Sequence, residues 1–199
     1  MNFNNFIQAN NSHINATKQL VELLELKNYK CEPFGYETDK EFTPTKEYRE
    51  SIPQYIRYKP DIKVTTPLGK TFYLEVKSRE VLEPLKKQLL INRNITEKFD
   101  VSIEIHSIEA GLHYENTYFA CIHMDNQPIF FIRCKDAITP KEIIISSDYI
   151  DQISDCKLKY PNAKIILQKP SKLKGNGNAY IWAEKNNGIT LEQLLQEME

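Results

Sequence analysis

Two alternating segments joined by a short turn constrain the fold of this chain more than any other feature. Residues 61–65 and 71–77 alternate polar and apolar side chains, which is the period of a strand with one buried face. Residues 66–70, between them, are Thr-Pro-Leu-Gly-Lys and contain the proline and glycine typical of a turn. A third alternating segment, Gln54–Tyr58, precedes them. The sequence therefore predicts three successive strands, of which the last two form an antiparallel hairpin.

Helical patterns lie on both sides of these strands. Ser12 is suited to cap a helix over His13–Asn28, whose inward face is predicted to contain His13, Thr17, Leu20, Val21 and Leu24. A second helix is predicted over Glu83–Lys98, with a proline in its first turn. Tyr29–Tyr36 is β-like, and Val101–Ile108 alternates and is predicted to be a strand. The core order is thus helix, three strands, helix, strand.

The remainder of the chain adds further strands and a terminal helix. Strands are predicted over Thr117–Met124, Ile129–Arg133, Glu142–Ser146, Ala163–Gln168 and Ala179–Ala183. Thr190–Glu199 is predicted to be an amphipathic helix, because Thr190 and Gln193 have the spacing of a capping box. We expect its apolar stripe to pack on the domain; the stripe consists of Leu191, Leu194, Leu195 and Met198. The length of 199 residues suits a single domain.

Composition limits the class of protein. Hydrophobic residues make up 41% of the chain and charged residues 27%, which is typical of a soluble globular protein with its own core. The longest apolar runs are far shorter than the roughly 20 residues of a membrane span. The N-terminus does not resemble a signal peptide, and the four cysteines lack the spacing of a disulfide framework or a zinc site. We therefore expect a cytoplasmic protein with reduced cysteines and no membrane association.

Asp61, Glu75 and Lys77 are the residues whose pattern suggests chemistry. Glu75 and Lys77 are two apart on a predicted strand, so their side chains emerge from the same face. The hairpin brings Asp61, near the start of one strand, beside Glu75, near the end of the next. Two carboxylates can hold Mg²⁺ or Mn²⁺, such a metal activates a bound water, and a nearby lysine stabilises charge on a phosphate. This set of residues is suited to phosphodiester hydrolysis.

The same residues resemble the PD-(D/E)XK, or restriction endonuclease-like, nuclease superfamily. Pro60-Asp61 is similar to its second motif, and Glu75-Val76-Lys77 is similar to its third. The resemblance implies an α/β (α+β) fold with an αβββαβ core, in which a central mixed β-sheet is flanked by helices. It also implies that Asp61 and Glu75 are metal ligands, with the Val76 carbonyl as a third ligand. By the same resemblance, Lys77 is the water-activating residue.

Many members of this superfamily carry a further acid on the first helix. Glu25, at the border of the inward face, is the better candidate here, since Glu22 lies opposite that face. A solvated helix glutamate is the ordinary alternative, and Glu37 is a third candidate if the loop around it folds inward. Gln88 is where some relatives place a glutamine facing the site, although a surface position is the more common role for such a residue.

Basic residues indicate where a nucleic acid would bind. Residues 156–183 contain six lysines and no acid. A loop in this segment, suited to phosphate contacts, carries Lys169, Lys172 and Lys174. Arg57 and Lys59 precede the Pro-Asp pair and form a second candidate group. From the sequence alone, an ordinary basic surface loop explains the first group equally well.

The resemblance spans residues 12–108, and residues 109–199 are an additional β-rich segment with the basic loop and the terminal helix. It implies an endonuclease that depends on Mg²⁺ or Mn²⁺ and acts on DNA, as a homodimer because cutting a duplex takes two sites. Two alternatives stay open at this point. One is an RNA endonuclease with the same core, and the other is an inactive module of the same fold that binds nucleic acid or a partner.

Overall fold

The computed structural model describes residues 3–35, 58–79, 100–123, 129–138, 140–168, 179–184 and 187–199. Two predicted elements lie outside these residues: the helix over Glu83–Lys98 and all but the last residue of the strand over Gln54–Tyr58. Several candidate functional residues also lie outside them, namely Glu37, Arg57, Gln88, Lys169, Lys172 and Lys174.

The described residues form a mixed α/β structure with four α-helices and two mixed sheets. The helices are α1 Phe3–Glu25, α2 Ile105–Gly111, α3 Gln152–Lys159 and α4 Leu191–Met198. The strands are β1 Lys30–Pro33, β2 Ile62–Thr65, β3 Thr71–Arg79, β4 Asp100–Glu104, β5 Thr117–His123, β6 Phe130–Arg133, β7 Glu142–Ser146, β8 Lys164–Gln168 and β9 Tyr180–Glu184. Short 3₁₀ turns cover Cys134–Ile138 and Ser147–Tyr149. Within this part of the chain, no helix is long and apolar enough to cross a bilayer.

The first sheet has the strand order β1-β2-β3-β5-β6. Its first three strands pair antiparallel, β3 pairs parallel with β5, and β5 pairs antiparallel with β6. The second sheet has the order β4-β9-β7-β8, in which β7 pairs parallel with β8 and the other described pairs are antiparallel. A parallel pair requires a crossover connection, and the chain between β3 and β5 passes through the second sheet at β4 and through helix α2.

Each face of the first sheet is covered by its own apolar core. Alternate side chains of a strand point to opposite faces, so the two cores draw on alternate residues. The first core joins α1 and α4 to the sheet and includes Leu20, Leu24, Phe72, Leu74 and Leu194. The second core joins α2, α3 and the second sheet to the opposite face and includes Ile108, Phe119, Ile132, Ile143 and Ile181. Each fully buried side chain of this size contributes about 1.5–3 kcal/mol through the hydrophobic effect.

The structure confirms the predicted hairpin and the strands that follow residue 117, with end points that shift by a residue or two. It also confirms the terminal helix. Thr190 and Gln193 form the capping box, and the stripe residues Leu194, Leu195 and Met198 are buried against the first core. Helix α3 was not predicted from the sequence.

The prediction of a strand over Val101–Ile108 is wrong beyond Glu104. The chain turns there into helix α2, which buries Ile105 and Ile108 in the second core. The segment satisfies two periods at once, because Ile103 and Ile105 are two apart while Ile105 and Ile108 are three apart. In addition, β4 belongs to the second sheet, and the strand that runs parallel to β3 is β5.

The bounds of the first helix also differ from the prediction. Helix α1 begins at Phe3, so Ser12 lies inside it and does not cap it. It ends at Glu25, and Asn28 adopts a positive φ of 65°, a conformation that asparagine tolerates better than most residues. The predicted inward face is otherwise correct, since Leu20 and Leu24 are fully buried.

Candidate active site

The hairpin places Asp61 beside the end of β3. Its register pairs Ile62 with Leu74 and Thr65 with Thr71, so Asp61, one residue before β2, is opposite Glu75. The turn is closed by a hydrogen bond from the Thr66 amide to the Lys70 carbonyl, at 2.8 Å. Its glycine, at position 69, has a φ of 81°, which favours a residue without a side chain. The tight turn thereby fixes which residues face each other at the far end of the hairpin.

One oxygen of Asp61 is held by the main chain. Its Oδ2 accepts a hydrogen bond from the Val76 amide at 2.6 Å. Its own carbonyl accepts hydrogen bonds from the Phe34 and Gly35 amides, at 2.9 and 3.2 Å. A Cβ added at Gly35 would lie 3.4 Å from the Asp61 Cα, so this segment passes close to the aspartate. Asp61 is therefore held through its carboxylate on one side and through its main-chain carbonyl on the other.

Lys77 lies on the same face of β3 as Glu75 and forms an ion pair with it. The Lys77 Nζ donates a hydrogen bond to Glu75 Oε1 at 2.7 Å, and the two side chains are only 18% and 13% exposed. The ammonium also donates to the Ser107 hydroxyl at 3.2 Å. Ser107 is a buried residue of helix α2. The site is thus assembled from the hairpin and from a helix that follows it in the chain.

Helix α1 supplies a residue that the sequence analysis did not assign to the site, His13. Its Nε2 is 3.7 Å from Asp61 Oδ1, and its side chain is 39% exposed. The signal was present in the sequence, because His13 continues the helix face that contains the buried Leu20 and Leu24. A histidine on such a face indicates that the apolar core ends at that position and that the imidazole faces a polar group of a neighbouring element.

The electrostatics of the site reflect two carboxylates that are largely withdrawn from water. Burial raises the pKa of Glu75 from 4.5 to about 7, and the charge of Asp61 adds to this effect, while Lys77 and His13 oppose it. Burial alone would lower the pKa of the Lys77 ammonium, but the charge of Glu75 outweighs it and the pKa is raised. The interaction with the Asp61 carboxylate raises the pKa of His13. A proton or a cation is therefore stabilised at this point.

The other residues predicted for the site lie at different distances from it. Glu25 is the exposed last residue of α1, and its separation from His13 along the helix is roughly 18 Å at about 1.5 Å per residue. Glu22 is exposed and lies 3.9 Å from Lys18. The structure therefore brings neither glutamate beside the three central residues. Lys63 faces Glu32, at 3.9 Å.

Lys59 lies beside the site, and Val76 lies within it. The Lys59 Nζ is 4.0 Å from the centroid of the Phe34 ring, and the chain continues from there through Pro60 to Asp61. Val76 separates Glu75 from Lys77 on β3, and its amide is the group that holds Asp61. The role of the Val76 carbonyl as a metal ligand stays a prediction.

Asp61 and Glu75 carry the kind of donor atoms that a small divalent cation prefers. Mg²⁺ and Mn²⁺ prefer oxygen ligands, and Asp61 and Glu75 supply two carboxylates in a largely buried place. Among the described residues, no group of three or more histidine, cysteine or acidic side chains is arranged to hold a metal. The predicted set does not require such a group, because it consists of two side chains, a main-chain carbonyl and oxygens from water or substrate.

The cysteines near the site are unsuited to nucleophilic chemistry. Cys121 is in register with Lys77 on the neighbouring strand, and Cys134 donates a hydrogen bond to the Ile108 carbonyl. Burial raises the pKa of both thiols to about 12, so they keep their protons at neutral pH. All four cysteines of the chain are free.

Comparison with known proteins does not assign the chain to a family. It matches no protein-family model, and it has no significant match among curated proteins.

Proposed function

We propose that the chain is a metal-dependent endonuclease of the PD-(D/E)XK class that hydrolyses phosphodiester bonds in DNA. The observation that carries this proposal is the convergence of Asp61, Glu75 and Lys77 at one end of the hairpin. The ion pair is largely buried beside a second carboxylate, an arrangement that carries a desolvation cost and is typical of functional sites.

The topology of the first sheet is consistent with the proposal. Helix α1 and the antiparallel strands β1, β2 and β3 are followed, after β4 of the second sheet and helix α2, by β5, which is parallel to β3. This order resembles an αβββαβ core if β4 is an addition to it and β1 takes the place of Gln54–Tyr58 as its first strand. In this interpretation β5 is the fourth strand of the core, in place of Val101–Ile108. Helix α2, which directly precedes β5 in the chain, contributes Ser107 to the site.

Each residue has a distinct part in the proposed reaction. Asp61 and Glu75, with the Val76 carbonyl, would hold Mg²⁺ or Mn²⁺, which polarises a phosphate and lowers the pKa of a bound water. Lys77 keeps its proton in this arrangement, so its contribution is to orient the attacking water and to stabilise negative charge on the phosphate. Ser107 accepts a hydrogen bond from the lysine ammonium and fixes it, and His13, 3.7 Å from Asp61 Oδ1, would help to orient the carboxylate.

Supercoiled plasmid provides the direct test. Wild type and Lys77→Ala are incubated side by side with Mn²⁺, Mg²⁺ or EDTA, and nicked and linear products are measured. We expect metal-dependent cleavage by the wild type and a loss of at least a hundredfold in the variant, since one such electrostatic contact is worth on the order of 10²–10³ in rate. Lys63→Ala is the matched control, because this lysine lies on the same hairpin but faces Glu32.

The products also test the accompanying proposals. A homodimer that cuts both strands would give linear plasmid early, and sedimentation would show two chains per particle. RNA and branched DNA are offered in parallel, and cleavage of RNA alone would favour an RNA endonuclease. If no substrate is cut with either metal and Mn²⁺ does not bind, the nuclease proposal is wrong and a binding module is left.

A further inference from the structure

Three aromatic rings form a cluster next to the candidate site, and none of them has a part in the proposed reaction. Phe34 and Tyr73 have ring centroids 4.9 Å apart, and Tyr114 lies 5.2 Å from Phe34 and 5.4 Å from Tyr73. These separations are typical of directly interacting rings. The three residues come from distant parts of the chain, and all three are half-buried. We call them the aromatic cluster.

The aromatic cluster is continuous with the site. Tyr73 precedes Glu75 by two residues on β3, so both side chains emerge from the same face, roughly 7 Å apart. The Phe34 amide donates a hydrogen bond to the Asp61 carbonyl, so the second ring is anchored directly at the aspartate. The distance from the carboxylates to the rings is therefore about that between a phosphate and the base of the same nucleotide.

Two ammonium groups lie beside the rings of Tyr73 and Tyr114. The Lys59 ammonium lies over the Phe34 ring, 4.0 Å from its centroid, and the largely buried Lys77 ammonium is paired with Glu75 on the strand face that also carries Tyr73. A nucleotide presents a flat base and an anionic phosphate, which are the two groups that aromatic rings and ammonium groups bind. A phosphate at Lys77 would leave the adjacent base over the aromatic cluster.

We propose that the aromatic cluster stacks an unpaired base adjacent to the scissile phosphate, so that the substrate is single-stranded, or opened, at that point. The proposal depends on the proposed nuclease function for the position of the phosphate. In an intact duplex both faces of each base are covered by neighbouring bases. An aromatic side chain can stack on a base only when the base has lost one of these neighbours. Rings at this position therefore select single-stranded segments over continuous duplex.

Binding without cleavage tests the proposal. Full-length protein is titrated in EDTA with a fluorescein-labelled single-stranded oligonucleotide and with the duplex of the same sequence. We expect tighter binding of the single strand, and we expect Tyr73→Ala and Tyr114→Ala each to weaken it by roughly five- to 150-fold, the range for the loss of one base–aromatic stack. Tyr73→Phe should retain the affinity. Tyr149→Ala, which removes an exposed tyrosine elsewhere, is the control and should change nothing.

A second measurement needs no variant. Single strands that carry 2-aminopurine at successive positions are mixed with wild-type protein, and we expect the fluorescence of one position to be quenched by stacking. Equal affinity for single strand and duplex, or single-strand binding that survives both alanine substitutions, would overturn the proposal. If the protein cleaves continuous duplex and no position is quenched, base stacking by the aromatic cluster is wrong and the nuclease proposal stands. If one position is quenched but no substrate is cleaved, the nuclease proposal is wrong and the aromatic cluster is a single-strand-binding surface.

Discussion

The two oxygens of the Asp61 carboxylate have different partners. Oδ2 accepts the Val76 amide at 2.6 Å, and Oδ1 faces His13 at 3.7 Å. An asparagine can accept the amide hydrogen bond but lacks the negative charge that strengthens the binding of a divalent cation. Structural and catalytic roles at this position can therefore be separated by two substitutions.

We expect Asp61→Asn to retain the stability of the wild type and to lose plasmid cleavage and Mn²⁺ binding. Asp61→Ala should lose these activities and also about 1–3 kcal/mol of stability, because it leaves the Val76 amide without its acceptor at a buried residue. Thermal unfolding and isothermal titration with Mn²⁺ measure the two effects. An asparagine variant that cleaves at the wild-type rate would remove Asp61 from the catalytic set.

His13 leads to a separate prediction. We expect His13→Ala to reduce kcat/KM by roughly 10–100-fold, the range for groups that orient a metal ligand, with little change in stability. Rates of plasmid nicking at several protein concentrations measure the effect. Lys18→Ala, an exposed position on the same helix, is the matched control and should cleave normally. Equal rates for wild type and His13→Ala would show that the histidine lies beside Asp61 without contributing to the reaction.

For individual residues of the site, the sequence predicts those on the hairpin and misses those on the helices, His13 and Ser107. Glu75 and Lys77 are two apart on a strand, and this spacing alone fixes their common face. The sequence favours Glu25 on the first helix because a helical wheel gives the direction of a side chain. The wheel does not give the height along the axis, and that height depends on how α1 packs on the sheet. Ser107 was missed because its segment was predicted to be a strand.

Among the elements, helix α2 shows where local pattern stops being sufficient. Its sequence satisfies both the strand and the helix period, and the tertiary structure decides between them. The Ile105 amide bonds to the Ala179 carbonyl at the end of β4, and from there Ile105 and Ile108 enter the second core. As a helix, the segment directs Ser107 toward Lys77. The segment contributes to the site because the chain passes from a strand into a helix at Ile105.

Helix α4 is the element that the sequence predicts best, because its start is encoded locally. The Thr190 amide donates to Gln193 Oε1 at 2.8 Å, and the Gln193 amide donates to Thr190 Oγ1 at 3.3 Å. Its inner face then buries Leu194, Leu195 and Met198. The capping box and the buried stripe therefore both support the same helix.

We expect Thr190→Ala to lower the free energy of unfolding by about 0.5–2 kcal/mol, because the cap hydrogen bond is lost and the helix end frays. Thermal unfolding should show a decrease in Tm of a few degrees, at roughly 2–4 °C per kcal/mol for a chain of this size. Thr190→Ser keeps the hydroxyl and should keep most of the stability. A Tm unchanged by the alanine substitution would show that packing alone holds the helix.

For the whole molecule, the candidate site is a point where separate parts of the fold meet. His13 comes from α1 on one face of the first sheet, and Ser107 comes from α2 on the other. Between them lie Asp61 and the β3 residues Glu75 and Lys77. A cation bound there interacts with groups that are together only in the folded state, so its binding free energy adds to the stability of the whole fold.

The buried carboxylate gives this linkage a defined dependence on pH. Glu75 has a folded-state pKa of about 7, above its ordinary value of 4.5, so between these values the folded state holds a proton that the unfolded state has lost. Its contribution to stability therefore falls as pH rises through this range. A divalent cation competes with that proton and relieves the repulsion with Asp61. The stabilisation by metal should consequently be small at pH 6 and larger at pH 8.

Thermal unfolding of wild type at pH 6 and pH 8, in EDTA or in Mn²⁺, measures this dependence. A hundredfold excess of metal over its Kd corresponds to about 2.7 kcal/mol, which is an increase in Tm on the order of 5–11 °C. Glu75→Gln should lose both the metal response and its pH dependence, because it removes the titrating ligand. Glu142→Gln removes an exposed acid paired with Lys164 and should respond as the wild type does. If Mn²⁺ raises the Tm of wild type and Glu75→Gln equally, the cation binds elsewhere and Glu75 is not its ligand.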